Sequence, residues 1–328
     1  MRNIHLLLRF LCAVLSVFLL FSAASAESAV TVPFLRMDRD DPEAWRGELD
    51  NVRLLKGDLF EYQSVSAKYE IDPDYVPSAE GLDTLYISGS AQFSAPQFRL
   101  LAETLREAAE GRTVYIIDLR QESHVLVNEG MPLSWYGSHN WANAGASLSE
   151  IEADEAARFS AMAGRTVFAY GREDDTAINE TEITIESFMT EKELVESEGF
   201  EYVRLPVQDH TWPAPETIDA FIDFVKSIDP GQVWLHFHCQ AGKGRTGIVM
   251  MLYDMMMNPG VAMEDIVVRQ TMLGGSYPLY TEDSDNYKVP YYAEKAKMTP
   301  LFYEYVQEQH ESGYEVPWTQ WILQREAM

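Results

Sequence analysis

An α/β fold, with a central sheet flanked by helices and a smaller β-rich subdomain attached, is predicted by three features of the sequence. An uninterrupted apolar run, 114–117, and a second strand-like stretch, 233–238, have the character of parallel strands buried on both faces. Segments with apolar residues at helical spacing accompany them, and short strand-like stretches take over between 147 and 204.

In chain order, residues 27–83 are rich in Asp, Arg and Pro and lack a long helical period, which assigns them to the β-rich subdomain as an N-terminal segment. A first core part, 84–146, follows. Leu85 and Ile87 mark a short strand, and 96–110 is a helix with Phe98, Leu101, Leu105 and Ala108 on one face, capped by Gly111. The strand over 114–117 then delivers Asp118-Leu119-Arg120 at its C-terminal end, and strand, helix, strand implies a right-handed crossover. Residues 147–204 read as an insertion into the β-rich subdomain: a helix over 149–162, strands over 166–170 and 183–188 joined by an acidic turn, and a Thr190/Glu193 capping box. The core resumes over 205–328. Its helix over 215–228 buries Ile218, Phe221, Ile222 and Val225; the strand over 233–238 leads to an apolar helix over 245–257, stopped by Asn258-Pro259-Gly260. The methionines of that helix read as core.

At 328 residues, 46% hydrophobic and 12% aromatic, the chain can bury a real core. Residues 1–26 have the pattern of a secretory leader: Arg2 and Arg9, an apolar run over 11–21, and Ala24-Ser25-Ala26 at a cleavage point. The run is shorter than the ~20 residues a membrane span needs. Export to the periplasm or the medium is the expectation, with no stable membrane association after cleavage and an oligomeric state the sequence leaves open. Cleavage removes Cys12 and leaves Cys239 as the one cysteine, in a compartment where thiols usually pair. The net charge of −27 repels nucleic acid, so a polyanionic small molecule must find a local basic pocket.

The segment His238-Cys239-Gln240-Ala241-Gly242-Lys243-Gly244-Arg245-Thr246 lies between a strand and a helix. Two glycines let its backbone curl so that successive N–H groups point inward, and the following helix adds its positive end, making a cradle for a tetrahedral dianion. Thiols in such fields fall to pKa values of roughly 3.5–7.5, which predicts that Cys239 works as a thiolate. Arg245, six residues on, can grip two phosphoryl oxygens, and Thr246 can donate to the sulfur. His238 shapes the loop by hydrogen bonding, whereas His236 reads as a core histidine. The alternative is an inert cysteine in a tight turn, which burial of Lys243 and Arg245 without an anion disfavours. Phosphoryl transfer to sulfur also needs an acid for the leaving alkoxide. Asp209, in Asp209-His210-Thr211-Trp212-Pro213, is the candidate, on a stiff, movable flap; taken alone, it reads better as a helix N-cap.

Together with Asp118-Leu119-Arg120-Gln121-Glu122-Ser123-His124, Ser134-Trp135-Tyr136-Gly137 and Asn140-Trp141-Ala142-Asn143, these segments resemble, in the same order, the bacterial protein-tyrosine-phosphatase-like phytases, also called cysteine phytases or myo-inositol polyphosphate phosphatases. The resemblance runs from about residue 88 to 307. It implies a tyrosine-phosphatase core with a small partial-barrel β-rich subdomain, action on inositol polyphosphates such as phytate, and neither metal nor other cofactor. It assigns Cys239, Arg245, Asp209, Thr246 and His238 to catalysis. Gln240, Ala241, Gly242, Lys243, Gly244 and His210 are assigned to substrate binding. Lys288, Tyr292 and Lys295, at one-face helical spacing, match its remote phosphate contacts; Arg36 is a further basic contact, and Asp118 orients a loop or selects the substrate phosphate. Lys243 also makes the loop similar to the lipid phosphatase called phosphatase and tensin homologue, so phosphoinositides and phosphotyrosine proteins are alternative substrates. A silent inositol-phosphate-binding module is a third reading, against which the intact nucleophile and arginine count.

Overall fold

The computed structural model describes residues 33–38, 44–55 and 62–326; the leader expected over 1–26 lies outside them. In chain order the elements are β1 (Phe34–Met37), β2 (Arg53–Leu55), β3 (Ile87–Ala91), α1 (Ala95–Ala109), β4 (Thr113–Arg120), β5 (His124–Val127), β6 (Met131–Tyr136), α2 (Leu148–Met162), β7 (Thr166–Glu173), β8 (Thr176–Thr184), β9 (Phe188–Met189), α3 (Glu191–Ser197), β10 (Glu201–Val207), α4 (Pro215–Ser227), β11 (Val233–Cys239), α5 (Gly244–Met257), α6 (Met263–Met272), α7 (Val289–Gln309) and α8 (Trp318–Glu326).

The strands form two sheets, one of five strands ordered β10-β4-β11-β3-β2 and one of six ordered β8-β7-β1-β6-β5-β9. In the first, β10, β4, β11 and β3 are mutually parallel and β2 runs antiparallel at the edge. Every residue of β11 is buried, His236 and His238 included, as befits a central parallel strand. Helix α1 starts at a full capping box, with Ser94 and Gln97 exchanging side-chain-to-backbone bonds. It buries Phe98, Leu101 and Leu105 against the sheet, each contributing about 1.5–3 kcal/mol. It ends through Glu110 at φ 52° before Gly111 at φ 90°, so the left-handed turn begins one residue earlier than the glycine implied. Residues Arg245–Met256 of α5 are all buried, and its methionines do pack in the core.

The boundaries expected at 84, 147 and 205 do not separate the sheets. β2 of the N-terminal segment joins the five-stranded sheet, β5 and β6 of the first core part belong to the six-stranded sheet, and β10 of the insertion is an edge of the five-stranded one. Periodicity marks a strand but not its partner, so pairing across long separations was invisible in it. The strands expected over 166–170 and 183–188 are instead one longer hairpin turning at Asp174, φ 50°. Among the described residues no helix is long and apolar enough to cross a membrane.

Candidate active site

The loop after β11 is built by what holds its carbonyls. Gln240 O accepts from Gln92 N (3.2 Å), Ala241 O from Asn51 Nδ2 (2.8 Å), Gly242 O from Arg53 Nη1 (2.6 Å), and Lys243 O from the backbone of Gly247 and Ser276. A trans peptide points its C=O and the next N–H in opposite directions, so carbonyls anchored outward turn the N–H groups of residues 241–244 toward the loop centre. This is an anion nest at the first turn of α5. Gly242 sits at φ 69°, where an added Cβ would fall 2.4 Å from the Ser90 carbonyl carbon; at Gly244 a Cβ would meet nothing, so only the first of the two glycines is demanded by space. Cys239 is 2% exposed, yet it lines the large cavity above the loop.

Arg245 reaches back under that cavity. Its Nη1 and Nη2 donate to the two carboxylate oxygens of Glu122 at 2.7 and 3.1 Å, and Nη1 also reaches Val207 O at 3.3 Å. Of five guanidinium N–H groups, this leaves Nε–H and one on Nη2, an adjacent pair suited to two oxygens of one phosphoryl group. Glu122 further accepts from Arg120 Nε (2.8 Å) and Asn140 Nδ2 (3.0 Å). Burial raises its pKa, but Arg245 and Arg120 outweigh that and hold it well below the ordinary carboxylate value.

Asp209 stands opposite, its Oδ1 3.4 Å from Arg245 Nε. It is not a helix cap, because α4 starts six residues later, at Pro215, with Ala214 at the N-cap. The 209–213 segment is tied down rather than loose: Asn140 Nδ2 donates to Asp209 Oδ2 (3.1 Å), Trp141 Nε1 to Asp209 O (2.8 Å), and Lys295 Nζ to His210 O (3.0 Å). His139, Asn140 and His210 all adopt positive φ, 58°, 70° and 70°, unusual for residues with side chains and concentrated at this cavity. Burial raises the Asp209 pKa, but Arg245 and then His210 lower it below the ordinary value. His210 is itself pushed down to about 4 by burial, with nearby Lys288, Arg245 and Lys295 adding to the effect against Asp209.

The cavity has a volume of about 740 Å³, within the range of small-molecule sites. Gln240, Ala241, Gly244, Arg245, Asp209 and His210 reach it, and so do Lys288, Tyr292 and Lys295 from the start of α7. Arg36 also lines it, braced by Asp38 at 2.7 Å. Lys68 and Arg172, from the N-terminal segment and the β7–β8 hairpin, complete a cationic rim that Asp174, Asp175 and Asp285 only partly offset. Burial pushes Lys295 down to about 8, with Lys288 contributing.

Other sequence-derived assignments fall elsewhere. Lys243 is exposed and is not among the residues that line the cavity. Asp118 is fully buried beneath the site, accepting from Arg120 N and Tyr202 OH and paired with Arg204 Nε at 3.1 Å, so it supports β4 and β10 rather than meeting substrate. Thr246 is buried with a hydroxyl that has no partner among the described residues. His236 is satisfied by Ser88 and Ser90, and His238 Nε2 lies 2.7 Å from Glu191 Oε1. Asp118, His124 and Glu191 each bring one ligand-type atom within 4.8 Å of the others, but these atoms face Arg204, Tyr202, Gln92 and His238 and form a buried charge network.

Sequence reasoning gave no role to Glu122, Lys68, Arg172 or Asn140. For Glu122 a signal existed, since buried arginines such as Arg120 and Arg245 need a shared counter-charge. Lys68 and Arg172 carry no local motif.

Comparison with known proteins places these features. A family model described as PTP-like phytase, inositol hexakisphosphate, matches residues 117–257. A tandemly repeated protein-tyrosine-phosphatase-like phytase from Mitsuokella multacida superposes with a TM-score of 0.82 at 39% identity, over 89% of this chain and 49% of that one. A PTP-like myo-inositol phosphatase of the same organism, in complex with myo-inositol-(1,3,4,5)-tetrakisphosphate, gives 0.81 and 38% over 90% and 50%. A PTP-like phytase from Bdellovibrio bacteriovorus gives 0.68 and 30% over 90% of this chain and 96% of that one. The effector protein hopD2 of Pseudomonas syringae pv. tomato is 31% identical over 254 residues, 74% of this chain and 52% of that protein. The chain therefore spans about half the length of that curated relative and of the Mitsuokella structures.

Proposed function

The chain belongs to the PTP-like phytases, and from that premise we propose that it hydrolyses phosphomonoesters of myo-inositol polyphosphates such as phytate through a phosphocysteine intermediate on Cys239. The observation that carries this reading is the cavity itself: a nest of inward N–H groups and the spare donors of Arg245 at its floor, and Arg36, Lys68, Arg172, Lys288 and Lys295 around its rim. One phosphate would sit in the nest while the others meet the rim, which gives a polyphosphate more contacts than a monophosphate. The complex of a Mitsuokella relative with an inositol tetrakisphosphate supports the same substrate class.

In the first step the Cys239 sulfur attacks phosphorus, the P–O bond to the inositol ring breaks, and Asp209 gives its proton to the leaving oxygen. Asp209 is held ionised by Arg245 in the empty site. A phosphate dianion arriving in the nest would engage that guanidinium and add negative charge, raising the Asp209 pKa to where it carries the proton. In the second step Asp209 takes a proton from water as the water oxygen attacks phosphocysteine, and inorganic phosphate leaves with the thiolate restored. Thr246, whose buried hydroxyl has no partner among the described residues, is the residue expected to donate to that sulfur.

Phosphate release from phytate in the presence of a chelator tests the reading; it should vanish in Cys239→Ser, and activity surviving that change would sink the covalent route. Phosphoinositides and phosphotyrosine peptides are assayed in parallel as the alternatives; the in-loop lysine that favoured lipid lies outside the cavity. Export, expected from the leader, belongs to the same reading and is checked by N-terminal sequencing of the protein recovered outside the cytoplasm, where the chain should begin at Glu27.

A further inference from the structure

Behind the nucleophile lies a carboxylate with no role in the chemistry above. Glu191, the first residue of α3, is 2% exposed, yet it belongs to the insertion and not to the core that carries the loop. Its Oε1 lies 2.7 Å from His238 Nε2, a close ion-pair contact, and neither atom has a hydrogen-bond partner among the described residues. Its Oε2 accepts from Gln92 Nε2 at 2.8 Å and stands 3.4 Å from His124 Nε2. Gln92 N in turn holds Gln240 O at 3.2 Å. One carboxylate thus grips the residue before Cys239 directly and the residue after it through Gln92.

We propose that Glu191 is a positioning residue for the Cys239 nucleophile: through its close contact with His238 Nε2 and the hydrogen bond it accepts from the Gln92 amide, it fixes the ring behind the sulfur and the first peptide of the nest. The inference rests on the phosphocysteine reading. His238 also packs on Phe93, ring centroids 4.9 Å apart, so the carboxylate sets the remaining freedom of the ring. The charged and titratable groups facing this pair are Asp118 and Arg120 of β4, His124 of β5, Tyr202 and Arg204 of β10, His236 of β11 and Arg53 of β2. Burial raises the Glu191 pKa, but His238 and His124 outweigh it and keep the group ionised. Glu191 also lines a second cavity, of about 200 Å³, on the side of the β-rich subdomain, together with Val125, Phe159 and Phe188.

That cavity makes the assignment testable. Glu191→Ala should lower kcat for phytate by roughly 10- to 100-fold, the usual cost of losing a partner that orients a functional histidine, with KM changed less than about threefold. Added formate, small enough to enter through the second cavity, should restore much of the lost kcat, whereas formamide at equal concentration should not. Glu191→Asp should retain more kcat than Glu191→Gln. Nitrogen-15 NMR of the unmutated protein should find His238 protonated at Nε2 near neutral pH, a readout with no folding risk. A His238 Nε2 without a proton, or a Glu191→Gln variant with wild-type kcat, overturns the proposal, as does a KM effect with kcat unchanged. Failure of the broader reading is distinct: the unmutated protein would then release no phosphate from phytate, while the His238 spectrum would still report on the pair.

Discussion

Glu122 holds both terminal nitrogens of Arg245, so the arginine opposite the nucleophile has its position set by a carboxylate two residues past the end of β4. Glu122→Gln removes the charge that two buried arginines share. The expected outcome is a fall in kcat/KM on the order of 100-fold, the scale of a small displacement of a positioned group. Stability should fall by about 3–5 kcal/mol because a buried pair has lost one partner. Steady-state kinetics and urea unfolding check the two parts.

The same carboxylate gives a pH signature. The folded-state pKa of Glu122 is depressed, so its contribution to stability is complete above the ordinary glutamate value of ~4.3 and is lost as pH falls toward the folded value. Unfolding free energies measured from pH 7 to pH 3 should decline with acid in the wild type. The decline should be shallower in Glu122→Gln; identical slopes would count against the ion pair.

Replacing Asp209 with Asn should reduce kcat for phytate by about 100- to 10,000-fold. An aryl phosphate whose leaving group needs no proton should lose much less. Equal losses on both substrates would remove Asp209 from the acid role.

Lys295, pushed down to about 8, predicts a pH effect on binding at the rim. Its positive charge is present below that value and disappears above it, so kcat/KM for phytate should fall as pH rises through about 8. Lys295→Arg should abolish this fall, because arginine stays charged throughout. A monophosphate substrate, with nothing to place at the rim, should show little of it.

The glycines of the loop should separate cleanly. Gly242→Ala places a methyl group against the backbone of Ser90 and forces φ 69° on a residue with a side chain, and phosphate binding should be lost or weakened severely. Gly244→Ala meets open space at an ordinary φ and should bind and turn over substrate within a few-fold of wild type.

The core was legible in the sequence because it is made of strong local patterns: the β11 run, the α1 and α4 faces and the loop after β11 lie within a residue or two of their expected places. What was not legible depends on partners distant in the chain. Asp118 looked like a site residue because it opens a motif that carries the family resemblance, but its carboxylate turns toward Tyr202 and Arg204. Lys243 looked like a contact because it is inside the loop, but it is exposed and is not among the residues that line the cavity. Lys68 and Arg172 come from segments with no motif, and only tertiary folding brings them to the rim.

Asn51 and Arg53 bind loop carbonyls from 190 and 189 residues away. Recognising Cys239 and Arg245 in a fragment is therefore no guarantee of competence: a shortened form lacking β2 would keep the signature intact while its peptides could swing out of alignment, leaving a perfect motif with nothing to close the cup.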